Sequence, residues 1–179
     1  MFVALTGTPG TGKTTVGTLL SSQGFVVRHL TDIEKKCVVG QDKKRDCQIY
    51  DIDLLDRYLH HTSILMQQHV CIVEGHLSHP LSGMSKIIIL RCHPEALKKR
   101  LQSKGYTSLK IQENLEAEAL DIILCDVACY YPTGVIQEID TTGKDPEAVA
   151  RCIAELLQDG FHDRIGQIDW IDWIEKNVR

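Results

Sequence analysis

The 179-residue sequence predicts an α/β fold whose centre is a parallel sheet of five strands. Short, continuous apolar runs alternate with segments of helical periodicity, as in sheets whose strands are buried on both faces. The first apolar run leads into the glycine-rich stretch GTPGTGKT, a pattern typical of a phosphate-binding turn between a strand and a helix. The length suits one compact domain, and the net charge of −4 gives no general attraction to nucleic acid.

Five apolar runs are predicted to form the strands of this sheet. They are FVALT (2–6), FVVRH (25–29), VCIVE (70–74), KIIIL (86–90) and VIQEI (135–139). Most are continuous rather than alternating in polarity, which favours a position in the interior of a parallel sheet. The runs are too short to cross a membrane.

Helical periodicity fills the intervals between these runs. Pro94 suits the first turn of a helix, Ser108 is placed to cap another, and Asp145 with Pro146 marks the start of the last. The polar segment 31–52 fits neither period and indicates a small inserted subdomain or a surface excursion. The predicted helices are 13–22, 53–67, 94–103, 108–130 and 145–158.

The cysteine pattern indicates a reducing compartment. There are seven cysteines, the count is odd, and no CxxC pair occurs. Several of them lie inside apolar runs, as expected for buried, reduced thiols rather than for a disulfide framework. The start MFVALTGTPG has no basic leader before its apolar residues. We therefore expect a cytoplasmic protein.

The spacing Gly7-x4-Gly12-Lys13-Thr14 is the strongest functional signal in the chain. Glycines at 7, 10 and 12 allow the backbone to curl so that successive N–H groups point at phosphate oxygens. The N-terminus of the following helix adds its positive dipole end. Lys13 is expected to reach the β and γ phosphates of ATP, and the Thr14 hydroxyl to bind Mg²⁺.

Glu74 ends the third predicted strand, at the edge where ligands bind in open α/β sheets. Next to a phosphate-binding loop, such a carboxylate is expected to hold Mg²⁺, directly or through water. A zinc site made of Glu74, His76 and His79 is the weaker alternative, because HxxH on a loop is not a strong ligand spacing. His79, which precedes a proline, is expected to have no functional role.

Basic residues after the fourth predicted strand are candidates for binding the transferred phosphate. Arg91 follows the strand directly, and the next helix supplies Lys98, Lys99, Arg100 and Lys104. Arg100 and Lys104 are four residues apart, so both can project from one helix face. A solvated basic helix face explains Lys104 nearly as well.

These motifs together resemble the P-loop nucleoside monophosphate kinases, most closely archaeal members of the adenylate kinase isoenzyme 6 family. The resemblance lies in LTGTPGTGKTT, VEGHLSH, IIILRCHPEALKKRLQSKGY and ENLEAE, in order over residues 1–145. It implies a three-layer P-loop kinase fold with a nucleoside-monophosphate-binding insertion (30–51) and a short lid (103–113). It also implies adenylate kinase activity, ATPase activity, and maturation of the small ribosomal subunit and its RNA beside a small-subunit ribosomal protein.

The resemblance also implies roles for individual residues. ATP would be held by Gly10, Gly12, Lys13, Thr14 and Thr15, with Lys104 over the phosphates and Lys144 near the adenine. The catalytic set would be Lys13, Glu74, His76 and Arg100, with Thr14 and Glu74 at the metal. AMP would be bound by Thr31, Asp32 and Arg91.

Two positions depart from the family pattern. Lys104 stands where a lid arginine is usual, which keeps the charge but removes bidentate phosphate binding. Glu74 stands where eukaryotic members have Asp, so its carboxylate has a longer arm. Both departures affect the expected rate of phosphoryl transfer rather than nucleotide binding.

Two other functions remain open from the sequence. A nucleotide-gated assembly factor would bind a basic ribosomal protein, with the acidic stretch 113–121 as its candidate surface. A kinase for another small hydroxyl substrate would keep the same phosphate loop. The C-terminal segment 165–179 is predicted to be a helix, with Trp170, Ile171, Ile174 and Val178 near one face, and is expected to pack back on the domain.

Overall fold

A parallel five-stranded sheet forms the centre of the computed structural model, which describes residues 1–43, 47–63, 70–161 and 165–177. Its spatial strand order is β2-β5-β1-β6-β7, and a separate antiparallel hairpin pairs β3 with β4. The predicted α/β fold is therefore confirmed. The strands are β1 (Phe2–Gly7), β2 (Val26–His29), β3 (Val38–Asp42), β4 (Cys47–Tyr50), β5 (Cys71–Glu74), β6 (Met84–Arg91) and β7 (Ile136–Asp140).

Helices cover both faces of the sheet. On one face α1 and α7 pack over β1, β5 and β6, and on the other α3 and α6 pack over the same strands. None of the described helices is long and apolar enough to span a bilayer. The helices are α1 (Lys13–Ser22), α2 (Thr31–Glu34), α3 (Ile52–Ser63), α4 (Pro94–Ser103), α5 (Ser108–Ala119), α6 (Ile122–Tyr130), α7 (Pro146–Asp159) and α8 (Ile171–Asn177).

The sheet places the ends of β1 and β5 next to each other. The connections that leave these two strands run toward opposite sides of the sheet, from β1 to β2 and from β5 to β6, which creates a crevice at the carboxyl edge. Leu5 pairs with Glu74 in the β1–β5 register, so the phosphate loop after β1 and the acid that ends β5 meet at this edge.

The single helix predicted over 108–130 is wrong, because the chain forms α5 and α6 with a break between them. Asp121 at the break has a φ of 55°, in the left-handed region that Asp tolerates better than most residues. Its carboxylate contacts the buried guanidinium of Arg91, and this ion pair holds the chain in the turn. The predicted cap also shifts by one residue, since the Thr107 side chain accepts from the Lys110 N–H.

The polar segment 31–52 folds as a small unit of its own. It contains the short helix α2 and the β3–β4 hairpin, which explains why neither a helical nor a strand period fits the whole segment. The helix predicted over 53–67 is present as α3, from Ile52 to Ser63; positions 64–67 of that prediction, including Met66, lie outside the described residues.

The C-terminal segment packs on the domain, as expected. Trp173 is buried against α4 and α5, and Trp170 and Ile174 lie beside it. The helix is shorter than predicted, since α8 begins at Ile171; Val178 lies outside the described residues.

The cysteine prediction is confirmed only in part. All seven thiols are free. The expectation of buried thiols is correct for Cys37, Cys71 and Cys92, but Cys125, Cys129 and Cys152 are exposed and Cys47 is intermediate.

Candidate active site

The phosphate loop runs from the end of β1 to the start of α1. Gly10 and Gly12 have φ values of 93° and 106°, in the left-handed region that residues with side chains rarely adopt. A Cβ at Gly10 would also lie 2.8 Å from the Leu97 side chain. The loop backbone therefore requires glycine at both positions, and α1 begins at Lys13 with its free N–H groups facing the loop.

Lys13 is buried inside this loop. Its Nζ donates to the carbonyl oxygens of Gly7 at 2.7 Å and Thr8 at 3.1 Å. Burial lowers the pKa of Lys13 to about 8, although nearby carboxylates, chiefly Glu74 and then Glu118, favour the charged form. The ammonium thus lies where phosphate oxygens could replace these carbonyl partners.

Glu74 is placed against the start of α1 and is 2% exposed. Its Oε1 accepts a hydrogen bond from the Thr14 hydroxyl at 3.2 Å, and its Oε2 accepts from His29 Nδ1 at 2.8 Å. One carboxylate and one hydroxyl within contact distance are oxygen donors of the kind that Mg²⁺ prefers, so the predicted pair fits this ion.

His29 is a residue that the sequence reasoning missed. It ends β2, and in the β2–β5 register it lies directly opposite Glu74. The sequence does show that a histidine ends one strand and that Glu74 ends another. It does not show that these two strands are neighbours in the sheet. The contact fixes the orientation of the Glu74 carboxylate.

A cavity of about 370 Å³ lies on one side of the phosphate loop. Five of the residues predicted to hold ATP line it, together with Thr141; they are Gly10, Gly12, Thr15, Lys104 and Lys144. Arg100 lies here as well, and its expected role at the transferred phosphate stays a prediction. Its guanidinium donates to the Thr141 carbonyl at 2.7 Å and to the Thr141 hydroxyl at 3.1 Å.

A second cavity, of about 520 Å³, lies on the other side of the loop. Its wall is formed by the P-loop, α2, the β3–β4 hairpin, the residues after β5, and α5. Of the predicted acceptor-binding residues, Thr31 lines this cavity. Asp32 is exposed and does not belong to its lining.

His76 and Glu34 lie next to each other in the wall of the second cavity. The Nδ1 atom of His76 lies 3.9 Å from Glu34 Oε1, which is longer than a hydrogen bond. Burial, and then the charges of Lys13, His79 and Lys110, lower the pKa of His76 to about 4. Burial and the Glu74 carboxylate raise the pKa of Glu34. His76 is therefore neutral at physiological pH.

Glu34 is the second functional candidate that the sequence reasoning missed. It lies in a segment without clear periodicity, where three of its neighbours are charged. Only the fold shows that this side chain points inward while Asp32 faces solvent.

Arg91 does not join the site, so its predicted role in substrate binding is corrected. It is 2% exposed, and its Nε donates to Glu118 at 2.8 Å while its terminal nitrogens contact Asp121 and Glu138. Because three carboxylates surround it, its guanidinium is fully engaged inside the protein.

The acidic stretch 113–121 is also less open than expected. Glu118 is buried beside Arg91, Asp121 contacts the same guanidinium, and Glu113 pairs with Lys110 at 3.2 Å. This stretch therefore offers less free negative charge than its composition indicates.

The residues of the zinc alternative point in different directions. Glu74 contacts Thr14 and His29, and His76 faces the second cavity. His79 is buried, with Nε2 donating to Asp126 and Nδ1 accepting from the Thr6 hydroxyl, both at 2.9 Å. Within the ranges that the structure describes, no group of His, Cys, Asp or Glu side chains could hold a metal ion by itself.

Comparisons with known proteins agree with this geometry. An AAA domain family matches residues 3–121. Two archaeal relatives, from Methanothermobacter thermautotrophicus and Halobacterium salinarum, are both named "Putative adenylate kinase". Each is 37% identical, over 96% and 97% of this chain and over 98% and 100% of their own lengths.

Solved structures show the same fold at low identity. A shikimate kinase from Acinetobacter baumannii, in complex with shikimate, superposes with a TM-score of 0.58 at 17% identity over 88% of this chain and 93% of its own. The protein TT1252 from Thermus thermophilus gives a TM-score of 0.61 at 16% identity, over 88% and 97%. By its family match and its archaeal relatives, the chain therefore belongs to the AAA domain family and to the P-loop nucleoside monophosphate kinases.

Proposed function

We propose that this protein is an adenylate kinase, which transfers the γ-phosphoryl group of ATP to AMP. The observation that supports this proposal is the pair of cavities on either side of the phosphate loop, both lined by Gly10 and Lys104. Two nucleotides bound in these cavities would bring their phosphates together at the loop. A pocket of 300 to 1,000 Å³ is of about the size that a small ligand fills.

In this proposal the first cavity takes the donor nucleotide. Its base lies beside Lys144, and its phosphates lie on the loop N–H groups and the N-terminus of α1. The ammonium of Lys13 leaves the Gly7 and Thr8 carbonyls and binds the β and γ phosphates. Lys104 adds positive charge between the two nucleotides.

Thr14 and Glu74 would hold Mg²⁺ at the edge of the phosphate loop. When bound, this ion neutralises charge on the phosphate oxygens. His29 keeps the Glu74 carboxylate in position by its hydrogen bond.

His76 then lies beside the acceptor. Because its imidazole is neutral, it can accept a hydrogen bond from a water molecule or orient the attacking phosphate without repelling Lys13. With the acceptor cavity filled by water, the same groups would support slow ATP hydrolysis. We propose that ATPase activity accompanies phosphoryl transfer for this reason.

A second candidate is a nucleotide-gated assembly factor for the small ribosomal subunit and its RNA, bound to a basic ribosomal protein in the cytoplasm. It rests on the family resemblance. The exposed apolar residues of the lid, Tyr106 and Leu109, favour a contact with another molecule there. Hydrolysis that rises when a small-subunit ribosomal protein is added would support it.

A coupled assay with ATP and each nucleoside monophosphate in turn tests the kinase proposal. Phosphorylation of AMP is expected, and Lys13→Ala should abolish both transfer and hydrolysis while Lys99→Ala, an exposed lysine of α4, keeps them. A Lys13→Ala protein that retains both activities would show that the site is wrongly assigned. Hydrolysis without transfer to any nucleotide would favour the assembly factor.

A further inference from the structure

The carboxylate of Glu34 is buried in the wall of the second cavity without a hydrogen bond for one of its oxygens. The residue is 5% exposed, and its Oε1 has no hydrogen-bond partner in the described part of the chain. The Nδ1 atom of His76 lies 3.9 Å from this oxygen, which is too far for a hydrogen bond. A buried carboxylate oxygen without a partner destabilises a folded protein.

Glu34 belongs to the lining of the second cavity. Thr31, Gln48, Tyr50 and His76 line the same space, so polar groups converge there from α2, from the β3–β4 hairpin and from the loop after β5. The charged residues nearest to it in the sequence, Asp32, Lys35 and Lys36, are exposed. An inward acid at this one position therefore fits a ligand that supplies the missing donor.

The charges in the cavity indicate which part of a ligand this donor belongs to. Lys13, Lys104 and Lys110 line the cavity on the side of the phosphate loop and α5. These ammonium groups suit the anionic end of an acceptor, whereas Glu34 would repel a phosphate. A ligand that carries a neutral O–H group a short distance from its phosphate can interact with both: the phosphate binds the lysines, and the O–H group donates to Glu34.

We propose that Glu34 is a specificity-determining residue that accepts a hydrogen bond from a ribose hydroxyl of the acceptor nucleotide. This inference rests on the proposed function, since it concerns the acceptor cavity of the same site. The ribose hydroxyls lie closer to the phosphate than the amino group of adenine does, and Glu34 lies close to His76, next to the reacting end. Acceptors with a complete ribose are therefore preferred over deoxy analogues.

Calorimetric binding of AMP, 2′-deoxy-AMP and 3′-deoxy-AMP, with a non-hydrolysable ATP analogue present, tests this proposal. The wild-type protein should bind AMP about tenfold to a hundredfold more tightly than one of the deoxy analogues, the range for a hydrogen bond to a charged group. Glu34→Leu should lower the affinity for AMP by the same factor and leave the affinity for that analogue unchanged. Glu34→Gln keeps a neutral hydrogen-bond acceptor, so its affinity for AMP should lie between those of the wild type and Glu34→Leu.

Thermal unfolding provides an independent readout. Because Glu34→Leu removes an unpaired buried carboxylate, the variant should unfold at a higher temperature than the wild type. The matched control is Glu155→Leu, an exposed carboxylate of α7, which should change neither binding nor the unfolding temperature by much.

The outcomes separate this inference from the kinase proposal. Equal weakening of all three nucleotides by Glu34→Leu, or no weakening, would overturn the role of Glu34 even if AMP is phosphorylated. If the wild type binds none of them, both proposals fail. If binding depends on Glu34 and on one hydroxyl but no phosphate is transferred, only the kinase proposal fails.

Discussion

The hydroxyl of Thr8, in the phosphate loop, donates a hydrogen bond to the carboxylate of Glu118 in α5. The other oxygen of Glu118 accepts from Arg91 Nε at 2.8 Å and from the Cys92 N–H at 3.0 Å. Both partners are buried. The phosphate loop is thus tied to the end of β6 and to α5, the helix that contains the C-terminal part of the proposed lid.

Thr8→Val tests this connection. The variant keeps the shape of the side chain but leaves one Glu118 oxygen without its donor, which should lower the free energy of unfolding by about 1 to 3 kcal/mol. ATP should bind more weakly because the loop is held less firmly. Urea unfolding and ATP titration measure the two effects.

Thr18→Val is the matched control for this change. Thr18 lies in α1, and its hydroxyl donates only to the Thr14 carbonyl at an exposed position. Its substitution should leave ATP binding unchanged. If both variants bind ATP equally well, the contact between Thr8 and Glu118 does not position the loop.

Arg91→Met should destabilise the protein without affecting substrate recognition. Removing the guanidinium leaves Glu118, Asp121 and Glu138 as buried or half-buried acids without their cation, which costs about 3 to 5 kcal/mol in comparable sites. Urea unfolding measures the loss. The KM for AMP, determined well below the unfolding temperature, should stay close to that of the wild type.

Arg151→Met serves as the control, because Arg151 is exposed on α7. Such surface changes alter the free energy of unfolding by about 0.5 kcal/mol or less. A large rise in the KM for AMP in Arg91→Met, with unchanged stability, would restore the original prediction that Arg91 binds substrate.

ATP binding should take up a proton at pH values near 9. In the free protein the pKa of Lys13 is lowered to about 8, so its amine is mostly neutral at pH 9. Phosphate oxygens favour the charged form and raise this pKa. Calorimetry in two buffers of different ionisation enthalpy should therefore show uptake approaching one proton at pH 9 and little at pH 6.5, where Lys13 is charged in both states.

The same shift determines how Lys13 affects the stability of the free protein. Its unfolded pKa of 10.5 exceeds the folded value of about 8, so the unfolded chain binds more protons between these values. The contribution of Lys13 to the free energy of unfolding therefore increases as the pH rises from 8 to 10.5. Lys13→Met should remove both the proton uptake and this rise, and persistence of the uptake would assign it to another group.

Lys104→Met should reduce the rate of phosphoryl transfer more than it reduces stability. Lys104 is exposed at the end of α4 and lines both cavities, so its charge lies where the phosphates would meet. Loss of one such group lowers kcat by about a hundredfold or more in comparable enzymes. Lys104→Arg should increase kcat, since a guanidinium binds phosphate through two hydrogen bonds.

The comparison variant is Lys99→Met, in the same helix but exposed and outside both cavities. Its kcat should match that of the wild type. Equal losses in both lysine variants would mean that general charge on α4, rather than the position of Lys104, matters for the rate.

The sequence predicted the sheet and the phosphate loop well because both depend on local signals. Continuous apolar runs identify buried strands, and the glycine spacing before Lys13 leaves few alternatives for the backbone. The break at Asp121 was missed since it is set by a distant partner, Arg91, and not by local helix propensity.

The same distinction applies to the candidate site. Lys13, Thr14 and Glu74 belong to recognisable motifs, and the structure brings them together. His29 and Glu34 could not be found in this way, because their positions depend on strand order and on the fold of an irregular segment. Arg91 showed the converse: a basic residue after a strand suited the phosphate, but burial among carboxylates decided its role.

If the two cavities hold ATP and AMP as proposed, the wall that they share makes the binding of one nucleotide depend on the other. A ligand bound in one cavity changes the electrostatic environment of Lys104, and this change alters the affinity of the other cavity for its ligand. Reciprocity then requires that ATP change the affinity for AMP by the same factor by which AMP changes the affinity for ATP. A single lysine side chain can in this way produce cooperativity within one small domain, without a second subunit.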